Sequence, residues 1–288
     1  MDNADRKVTD FKQRVEKEWA GDDAAAAWQK HYPQMRAQLA QVTEAVVEAA
    51  APRPGMSILD LASGPGEPAL TLARRVGPTG GVTATDLSGP MLAALIANAI
   101  ADSVTNVETK VCDAEELPFS DATFDVVTSR FGVMFFADVQ RSLAEVKRVL
   151  KRGGSLVLMV WGQPVPSSYF GATAMPYMRR LATRPDPNGP GPMRFAEPGK
   201  LVRLVEGAGY HEVRETILTL PAPYRGSPEE MLTAIMEIAA PLRNLAATLS
   251  DEDQRAAQRD AYDNLRPLYD GTFTNVTAPV LIVTGVSR

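Results

Sequence analysis

Short apolar runs alternate with segments of helical character through the middle of the chain. The apolar runs predicted to be strands are 57–62, 80–88, 107–114, 124–131 and 155–162. Helical segments, such as 68–76 and 89–101, lie between them. Strands that alternate with helices are typical of parallel βαβ units. The pattern therefore predicts an α/β fold with a doubly wound sheet.

The first fifty residues are predicted to be helical. Apolar side chains recur there at three- and four-residue steps, as at Leu39, Val42 and Val46, and therefore share one face. We expect Pro33 to break or to start a helix within this segment, because proline has no N–H for an internal helical bond. The sequence Pro-Arg-Pro-Gly at 52–55 marks the end of the segment.

The C-terminal part of the chain is less regular. Residues 164–195 are rich in proline and glycine and are predicted to form a long loop with one helix, and loops of that length are often functional. A helix over 196–210 and a sixth strand over 211–220 follow. Residues 227–269 have helical spacing, and a last strand is predicted over 278–287.

Composition narrows the class of protein. The 288 residues are 45% hydrophobic and 23% charged, which is typical of a globular protein in water. The net charge of −5 favours neither nucleic acid nor an acidic membrane. The single cysteine, Cys112, cannot form an internal disulfide, and no Cys/His cluster indicates a metal. The polar start and the lack of a long apolar run predict a cytoplasmic protein with no signal peptide or membrane span.

A glycine-rich turn follows the first predicted strand. Residues 64–69, Gly-Pro-Gly-Glu-Pro-Ala, fit the pattern G-x-G-x-x-A, and Asp86 follows Gly66 by 20 residues. A dinucleotide site has this arrangement, with the later carboxylate on a ribose diol. The loop alone is equally compatible with a structural turn whose small residues serve only packing.

Asp60 makes a phosphate ligand at this turn unfavourable. A carboxylate at the end of the first strand would repel a pyrophosphate, by ~4 kcal/mol for unit charges ~4 Å apart at an effective dielectric constant near 20. The same carboxylate would attract an ammonium, while Asp86 would bind a ribose. S-adenosylmethionine has both groups and no phosphate. The alternative is that Asp60 only caps the turn through its own backbone.

Four stretches between Ile58 and Trp161 carry a family resemblance. They are "ILDLASGPGEPAL", "VTATDLSGPML", "CDAEELPFSDATFDVVTSRFGVMFF" and "AEVKRVLKRGGSLVLMVWG". In this order they resemble a class I S-adenosylmethionine-dependent methyltransferase, especially the ubiquinone/menaquinone-biosynthesis branch (methyltransferase type 11). The first glycine of that family's loop is Ala62 here. The resemblance implies a Rossmann-like seven-stranded sheet in the order 3-2-1-4-5-7-6, with the last strand antiparallel and helical lid insertions.

The resemblance also implies which residues bind the methionine part of S-adenosylmethionine and of its product, S-adenosylhomocysteine. Asp60 and the amides around Ala62, Gly64 and Gly66 would hold it, and the backbone carbonyl of Ser129 would accept from its amine.

For the nucleoside part, Asp86 would accept both ribose hydroxyls and Leu87 would pack on the adenine. Asp113 would take the adenine amino group, with the amide of Ala114 beside it. The three carboxylates are spaced by one βα unit each, so all would emerge at the carboxyl ends of parallel strands, where open α/β sheets bind ligands.

Candidate catalytic residues lie in the N-terminal segment, which folds over the cofactor in related enzymes. His31 and Tyr32 are the candidate bases, and Arg130 and Phe131 would line the floor of the site. Trp28 precedes Tyr32 by one turn and could add an aromatic lid over a sulfonium. Docking of the helix on the core explains Trp28 and Tyr32 equally well.

The aromatic residues of the long loop predict a mostly apolar acceptor such as a phenol, a quinol or a polyketide-like compound, methylated at oxygen or carbon. Residues 227–275 would form either a roof over this acceptor or a dimer contact. The expected organisation is a helical cap, a cofactor-binding core, a substrate loop, a core helix with the sixth strand, a helical lid and a last strand, at 1–54, 55–162, 163–197, 198–226, 227–275 and 276–288.

Other functions remain open on the sequence. A nicotinamide-dependent oxidoreductase would explain the glycines and Asp86, but not Asp60 or Asp113. A non-methylating module that binds the cofactor would need no base. The expected partner is a small molecule rather than a nucleic acid, and a homodimer is compatible with the sequence.

Overall fold

Seven strands form one mixed sheet in the described residues, 22–183 and 186–288, of this computed structural model. Their order is β3-β2-β1-β4-β5-β7-β6. Strands β1 to β5 pair in parallel, and β7 is antiparallel to both β5 and β6. The bounds are β1 Ser57–Leu61, β2 Gly81–Asp86, β3 Val107–Val111, β4 Phe124–Arg130, β5 Leu150–Trp161, β6 His211–Arg225 and β7 Phe273–Val286. This confirms the expected fold class and strand order.

Helices cover both faces of the sheet and its carboxyl edge. They are α1 Asp22–Gln38, α2 Ala40–Ala50, α3 Ala69–Val76, α4 Gly89–Ala101, α5 Val139–Val149, α6 Tyr169–Thr173, α7 Met175–Met178, α8 Lys200–Gly207, α9 Pro228–Ile238, α10 Ala240–Ala246 and α11 Asp251–Leu265, with 3-10 turns at Val133–Phe135 and Arg266–Leu268. The long loop after β5 therefore contains two short helices where the sequence predicted one. The helices expected over the first 21 residues lie outside the described part of the chain.

The prediction that Pro33 breaks or starts a helix is wrong. Helix α1 runs through Pro33, and the interruption falls at Leu39, between α1 and α2. An internal proline costs a helix about 3 kcal/mol. Burial of Tyr32 and Met35, on either side of Pro33, offsets that cost by packing the helix on the molecule.

Strand bounds also differ from the predictions. Strand β3 ends at Val111, so Asp113 lies in the loop beyond it. Strands β6 and β7 are longer than predicted and pair from His211 with Val286 to Arg225 with Phe273. The prolines at 221 and 223 belong to β6, which is the edge strand, where a missing N–H is tolerated.

The central strands are buried on both faces. Ile58, Leu59 and Leu61 of β1 are all at most 1% exposed, which is typical of a parallel sheet covered by helices on both sides. Because β1 to β5 run parallel, their carboxyl ends lie at the same edge of the sheet. Within the described residues, no helix is both long and apolar enough to cross a membrane.

Helices α9 to α11 form an insertion that connects β6 to β7, and α9 packs against the N-terminal helix α1. The carboxylate of Glu237 in α9 contacts Lys30 Nζ and His31 Nε2 of α1, each at 2.6 Å. Gln34 and Gln38 of α1 donate to the backbone carbonyls of Arg225 and Ala222 in β6. The N-terminal helix is thereby tied to both the insertion and the edge of the sheet.

Candidate active site

A cavity of about 1150 Å³ lies at the carboxyl edge of the sheet. Helix α1, the loops after β1 to β5, and helices α9 and α10 form its walls. Pockets for drug-sized ligands are about 300–1,000 Å³, so this cavity has room for a cofactor and a second molecule. The predicted site residues that line it are Tyr32, Ala62, Gly64, Asp86, Leu87, Asp113, Ala114, Arg130 and Phe131.

Left-handed backbone conformations shape the loop after β1. The φ angles of Ala62, Gly64 and Gly66 are 54°, 51° and 140°. Ala62, which replaces the glycine of the related loops, is therefore strained at a position that favours glycine. Gly66 does not line the cavity, because Leu70 and the Tyr32 hydroxyl pack where its side chain would be, 2.8 and 3.1 Å from the point that a Cβ would occupy.

The amides of this loop already have acceptors within the chain. Gly64 N–H donates to Asp86 Oδ2 at 2.9 Å, and Gly66 N–H donates to the Ser63 carbonyl at 3.2 Å. Pro65 and Pro68 have no N–H. Each of these amides has one hydrogen, and in this structure that hydrogen is used within the chain, so a role of the Gly64 and Gly66 amides in holding the cofactor stays a prediction. Because of the same bonds, the loop offers few free N–H groups to a phosphate.

Asp86, the last residue of β2, joins two loops at the cavity wall. Its Oδ2 accepts from Gly64 N–H and its Oδ1 from Ser88 N–H, both at 2.9 Å. Each carboxylate oxygen has a further lone pair, so the side chain can still accept from a diol. Leu87 beside it is 42% exposed and offers an apolar surface within the cavity. This pair suits a ribose and an adenine.

Asp113 and Ala114 form the turn after β3. Asp113 Oδ1 accepts from Glu115 N–H at 2.9 Å, so this turn is fixed by its own carboxylate. Cys112 N–H donates to the Asp86 carbonyl, which holds the turn next to the end of β2. Burial raises the pKa of the Cys112 thiol to about 11, so the thiol stays protonated at neutral pH.

Asp60 lies beneath the cavity rather than on its surface. Its side chain is fully buried, and Thr128 Oγ1 in the adjacent strand β4 donates to its Oδ1 at 2.5 Å. Its Oδ2 has no hydrogen-bond partner in the described part of the chain. Burial raises the pKa of Asp60 to about 6, against the lowering effect of Thr128 and of the Arg130 charge. The possibility that Asp60 only caps its own turn does not fit its bond to Thr128.

Ser129 is fully buried below the loop after β1. Its hydroxyl donates to the Leu61 carbonyl at 3.1 Å, and it does not line the cavity. The neighbouring Arg130 does reach the cavity, and its Nη1 donates to Thr43 Oγ1 of α2 at 2.7 Å. Ser129 thus fixes the end of β4, next to Arg130 and Phe131, against the end of β1.

The two candidate bases occupy different places. His31 points away from the cavity lining and contacts Glu237, so the structure does not bring it to the predicted site. Tyr32 does line the cavity, with a buried hydroxyl. Burial and the nearby Glu67 carboxylate raise the pKa of Tyr32 above its ordinary value. Tyr32 therefore keeps its proton at neutral pH, and its hydroxyl has no hydrogen-bond partner among the described residues.

Glu67 and Arg36 close the cavity between the glycine-rich loop and α1. Arg36 Nε lies 3.0 Å from Glu67 Oε1, and Thr71 donates to Glu67 Oε2 at 2.7 Å. Arg36 Nη1 also lies 2.5 Å from the carboxylate of Asp102, the residue that follows α4. Sequence reasoning assigned these residues no role, because their pairing joins segments far apart in the chain.

Gly132 is a further residue that the sequence analysis missed. A Cβ there would lie 2.6 Å from both Ala62 Cβ and Ser129 Oγ, so only glycine lets the loops after β1 and β4 approach each other. The glycine within the quoted motif "VTSRFGVMFF" was the available signal.

Stacked aromatic rings form the wall beyond Phe131. The rings of Phe131 and Trp161 are parallel with centroids 3.9 Å apart, and Trp161 stacks on Tyr169 at 5.6 Å. Phe131 has a φ of 63°, a strained conformation for a non-glycine residue that is typical of functional sites. Trp161 is the last residue of β5, so these rings extend from the sheet edge into the segment after β5.

The sheet order, the glycine-rich loop after β1 and the carboxylate that ends β2 define the fold of class I methyltransferases. The sequence profile of the ubiE/COQ5 methyltransferase family matches residues 30–181, which is more than half of the chain. The chain belongs to this family.

Among its relatives is the ubiquinone/menaquinone biosynthesis C-methyltransferase UbiE of Ralstonia pickettii, with 42% identity over 124 residues. That match spans 42% of this chain and only 50% of the Ralstonia protein. The UbiE protein of Cupriavidus metallidurans is 33% identical over 180 residues, which are 58% of this chain and 72% of that protein.

A solved structure with the same fold is phosphoethanolamine N-methyltransferase 2 of Haemonchus contortus, in complex with phosphomonomethylethanolamine and S-adenosylhomocysteine. It is 18% identical with a TM-score of 0.57, and the match covers 96% of this chain and 60% of that chain.

Proposed function

We propose that this protein transfers a methyl group from S-adenosylmethionine to a small, largely apolar organic acceptor, at carbon or oxygen. The observation that carries the proposal is the chemistry of the loop after β1. Its two glycine amides are used within the chain, two of its residues are prolines, and the carboxylates of Asp60 and Glu67 are buried beneath and within it. A diphosphate over this loop would find few backbone donors, with the buried Asp60 carboxylate beneath them.

The residues of the cavity fit S-adenosylmethionine. Asp86 can accept from the ribose hydroxyls, Leu87 can cover the adenine, and Asp113 with Ala114 borders the same surface. When bound, S-adenosylmethionine supplies an electrophilic methyl group on a sulfonium. The Haemonchus enzyme, which shares the fold, holds the corresponding product in its structure.

The chain's own contribution to catalysis would be alignment of the two reactants and exclusion of water. Bringing two reactants together in a fixed orientation can supply about 7–11 kcal/mol of the barrier. The cavity is enclosed by α1 on one side and by α9 and α10 on the other. Tyr32 of α1 and the stacked pair Phe131 and Trp161 also line the cavity.

The acceptor side of the cavity is apolar. Residues of the substrate loop and the insertion line it, namely Phe170, Met175, Met178, Leu181, Met193, Ile235, Ile238, Leu242 and Leu245. Because the insertion lines the cavity, a role as a roof over the acceptor is favoured over a role as a dimer contact. The names of the Ralstonia and Cupriavidus relatives, C-methyltransferases of ubiquinone/menaquinone biosynthesis, favour a quinol-like acceptor and methylation at carbon.

Methyl transfer is tested directly with S-adenosylmethionine that carries a trideuteriomethyl group. The full chain is incubated with it and a panel of phenols, reduced naphthoquinones and polyketide-like aromatics, and products are analysed by mass spectrometry. We expect one acceptor class to gain a single trideuteriomethyl group, and the Asp86→Ala variant to lose most of that activity. Binding of NADH with hydride transfer, and no methyl transfer to any acceptor, would favour the oxidoreductase alternative.

A further inference from the structure

Arg194 brings a positive charge to the apolar, acceptor side of the cavity. Gly191 N–H donates to the Met134 carbonyl at 3.0 Å, and Arg194 Nη1 donates to the Phe136 carbonyl at 2.5 Å. These bonds hold the turn 191–194 on the loop after β4, and all four residues of the turn line the cavity. Arg194 therefore borders the space that the proposed function assigns to the acceptor.

No ion pair compensates the charge of Arg194 within the described residues. Burial lowers the pKa of Arg194 below its ordinary value, against the attraction of three more distant carboxylates, those of Asp138, Asp186 and Glu115. Each of these carboxylates already accepts from a backbone N–H, at 3.0, 2.9 and 2.8 Å. Coulomb attraction falls with distance, so an anion in direct contact with the guanidinium would interact with it more strongly than they do.

The guanidinium is held in place and still has donors to offer. Its Cζ lies 5.1 Å from the centroid of the Phe195 ring, and Phe195 is 1% exposed. A cation above an aromatic ring is attracted by the face of the ring and does not need its N–H groups for that contact. An arginine has five N–H donors, so the bond from Arg194 to the Phe136 carbonyl leaves others for a ligand.

Two neighbouring arginines extend the comparison. Arg179, the residue after α7, is exposed and also lines the cavity, so it adds a second positive charge there. Arg180 Nη2 lies 2.7 Å from Asp260 Oδ2, and Arg180 does not line this cavity. Arg180 is therefore a matched control, with its charge compensated and outside the site.

Arg194 is not part of the region that carries the family match. The profile of the ubiE/COQ5 methyltransferase family matches residues 30–181, and Arg194 lies beyond that range. The positive charge at this end of the cavity is therefore a feature of this chain that the family match does not account for.

We propose that Arg194 binds an anionic oxygen group of the acceptor, so that the acceptor is an apolar acid rather than a neutral compound. This proposal rests on the proposed function and names the acceptor class more closely. The apolar residues of the cavity suit the body of such a molecule, and the guanidinium suits its charged end. A carboxylic acid and an ionised phenol both have this chemistry. Bonds from arginine to such oxygens are charge-assisted, and with a carboxylate they are often bidentate.

Two pairs of bicyclic aromatic probes separate the anionic group from the aromatic body. 2-Naphthoate is paired with 2-naphthamide, and 4-nitro-1-naphthol in its ionised form is paired with 1-methoxy-4-nitronaphthalene. Affinities of the full chain are measured by calorimetry with S-adenosylhomocysteine at saturation. We expect at least one anion to bind more tightly than its neutral partner. Arg194→Met should weaken binding of that anion about tenfold or more, as for a lost bond to a charged group, and leave the neutral partner almost unchanged.

Matched variants make the result specific. Arg180→Met removes a positive charge from the same segment and should leave all four affinities unchanged. Arg194→Lys keeps the charge but not the fork of donors, so it should retain part of the preference for the anion. It is also the second variant if Arg194→Met fails to fold, and the unfolding midpoint of each variant is recorded in parallel.

The outcomes separate this proposal from the proposed function. If the wild-type chain does not bind S-adenosylhomocysteine, the proposed function fails, and the probes are titrated without it under the same criteria. The role of Arg194 is overturned if neither anion binds or if each neutral partner binds as tightly as its anion. It is also overturned if Arg194→Met and Arg194→Lys weaken anion and neutral partner by the same factor. A preference for 2-naphthoate identifies a carboxylic acid as the acceptor class, and a preference for the naphtholate identifies a phenol.

Discussion

At the scale of single residues, the buried carboxyl of Asp60 is expected to lower the stability of the ligand-free protein at neutral pH. Its carboxyl is fully buried, and burial raises its pKa from 3.8 to about 6. Above pH 6 the unfolded chain and the folded chain both carry the charge, but only the folded chain has to bury it. One pKa unit corresponds to about 1.4 kcal/mol, so the cost is on the order of 3 kcal/mol.

We therefore predict that Asp60→Asn stabilises the ligand-free protein at neutral pH. Because the folded pKa is the higher one, the cost of Asp60 is absent below the unfolded pKa and grows as pH rises to about 6. Urea unfolding at pH 5 and pH 7.5 should give the variant a larger advantage at pH 7.5. Asp125→Asn is the control and should destabilise the protein instead, since Lys151 and the Ser57 amide lower the pKa of Asp125 and thereby favour its charged form in the folded chain. An advantage of Asp60→Asn that does not change with pH would contradict this account.

Asp86 is predicted to contribute directly to cofactor affinity. Replacement by alanine removes the acceptor for a ribose diol and releases the amides of Gly64 and Ser88. Binding of S-adenosylhomocysteine, measured by calorimetry, should weaken by about 1–3 kcal/mol. Asp125→Ala removes a carboxylate that also accepts from a backbone amide, that of Ser57, but outside the cavity lining. It should lower stability and leave affinity unchanged, and equal affinities for wild type and Asp86→Ala would remove Asp86 from the site.

At the scale of elements, the site depends on how closely the loops after β1 and β4 approach each other. We predict that Gly132→Ala forces them apart, because the new Cβ would lie 2.6 Å from Ala62 Cβ. Overpacking of this kind costs about 1–3 kcal/mol of stability and should also weaken binding of S-adenosylhomocysteine. Gly207→Ala is the control, since a Cβ there meets no atom within 4 Å. A Gly132→Ala protein with wild-type stability and affinity would show that this contact is unimportant.

Local signals predicted some elements well and others poorly. Helix α4 has the predicted bounds because an N-cap and a first-turn proline coincide there, with Ser88 Oγ accepting from Met91 N–H and Pro90 in the first turn. Strand β6 is longer than predicted because pairing with β7 overrides the two prolines, which only an edge position permits. Such pairing depends on the tertiary structure and leaves no local signal.

The candidate site divides in the same way. Asp86 ends β2 and Asp113 lies two residues beyond β3, so both carboxylates could be placed from the sequence. The bond from Gly64 to Asp86, the partial isolation of Arg130 and the bond of His31 to Glu237 could not. The two bonds join residues more than twenty positions apart in the chain. Arg130 Nε has no partner among the described residues, and a missing partner leaves no signal in the sequence.

At the scale of the whole molecule, the cavity is enclosed by two segments that flank the cofactor-binding core in sequence. Helix α1 precedes the core and α9 follows it, and Glu237 connects them through Lys30 and His31. Both helices also line the cavity, through Tyr32 and Ile235 among others. A ligand in the cavity would therefore contact the cap and the insertion at once.

We predict that S-adenosylhomocysteine slows amide hydrogen exchange in α1 and α9 together. A ligand that binds only the folded, closed arrangement lowers the population of locally opened states. Hydrogen exchange followed by mass spectrometry, with and without the ligand, measures this. Peptides from the C-terminal half of α11, which does not line this cavity, serve as the reference and should change little. Protection confined to the loops after β1 and β2 would argue against joint closure.

The central claim is that the carboxyl edge of this sheet binds a cationic nucleoside without phosphate. Parallel calorimetric titrations of the full chain with S-adenosylmethionine and with NADH test it most directly. The account predicts saturable binding of S-adenosylmethionine at one site per chain and no measurable binding of NADH. Saturable binding of NADH, with none of S-adenosylmethionine, would contradict it.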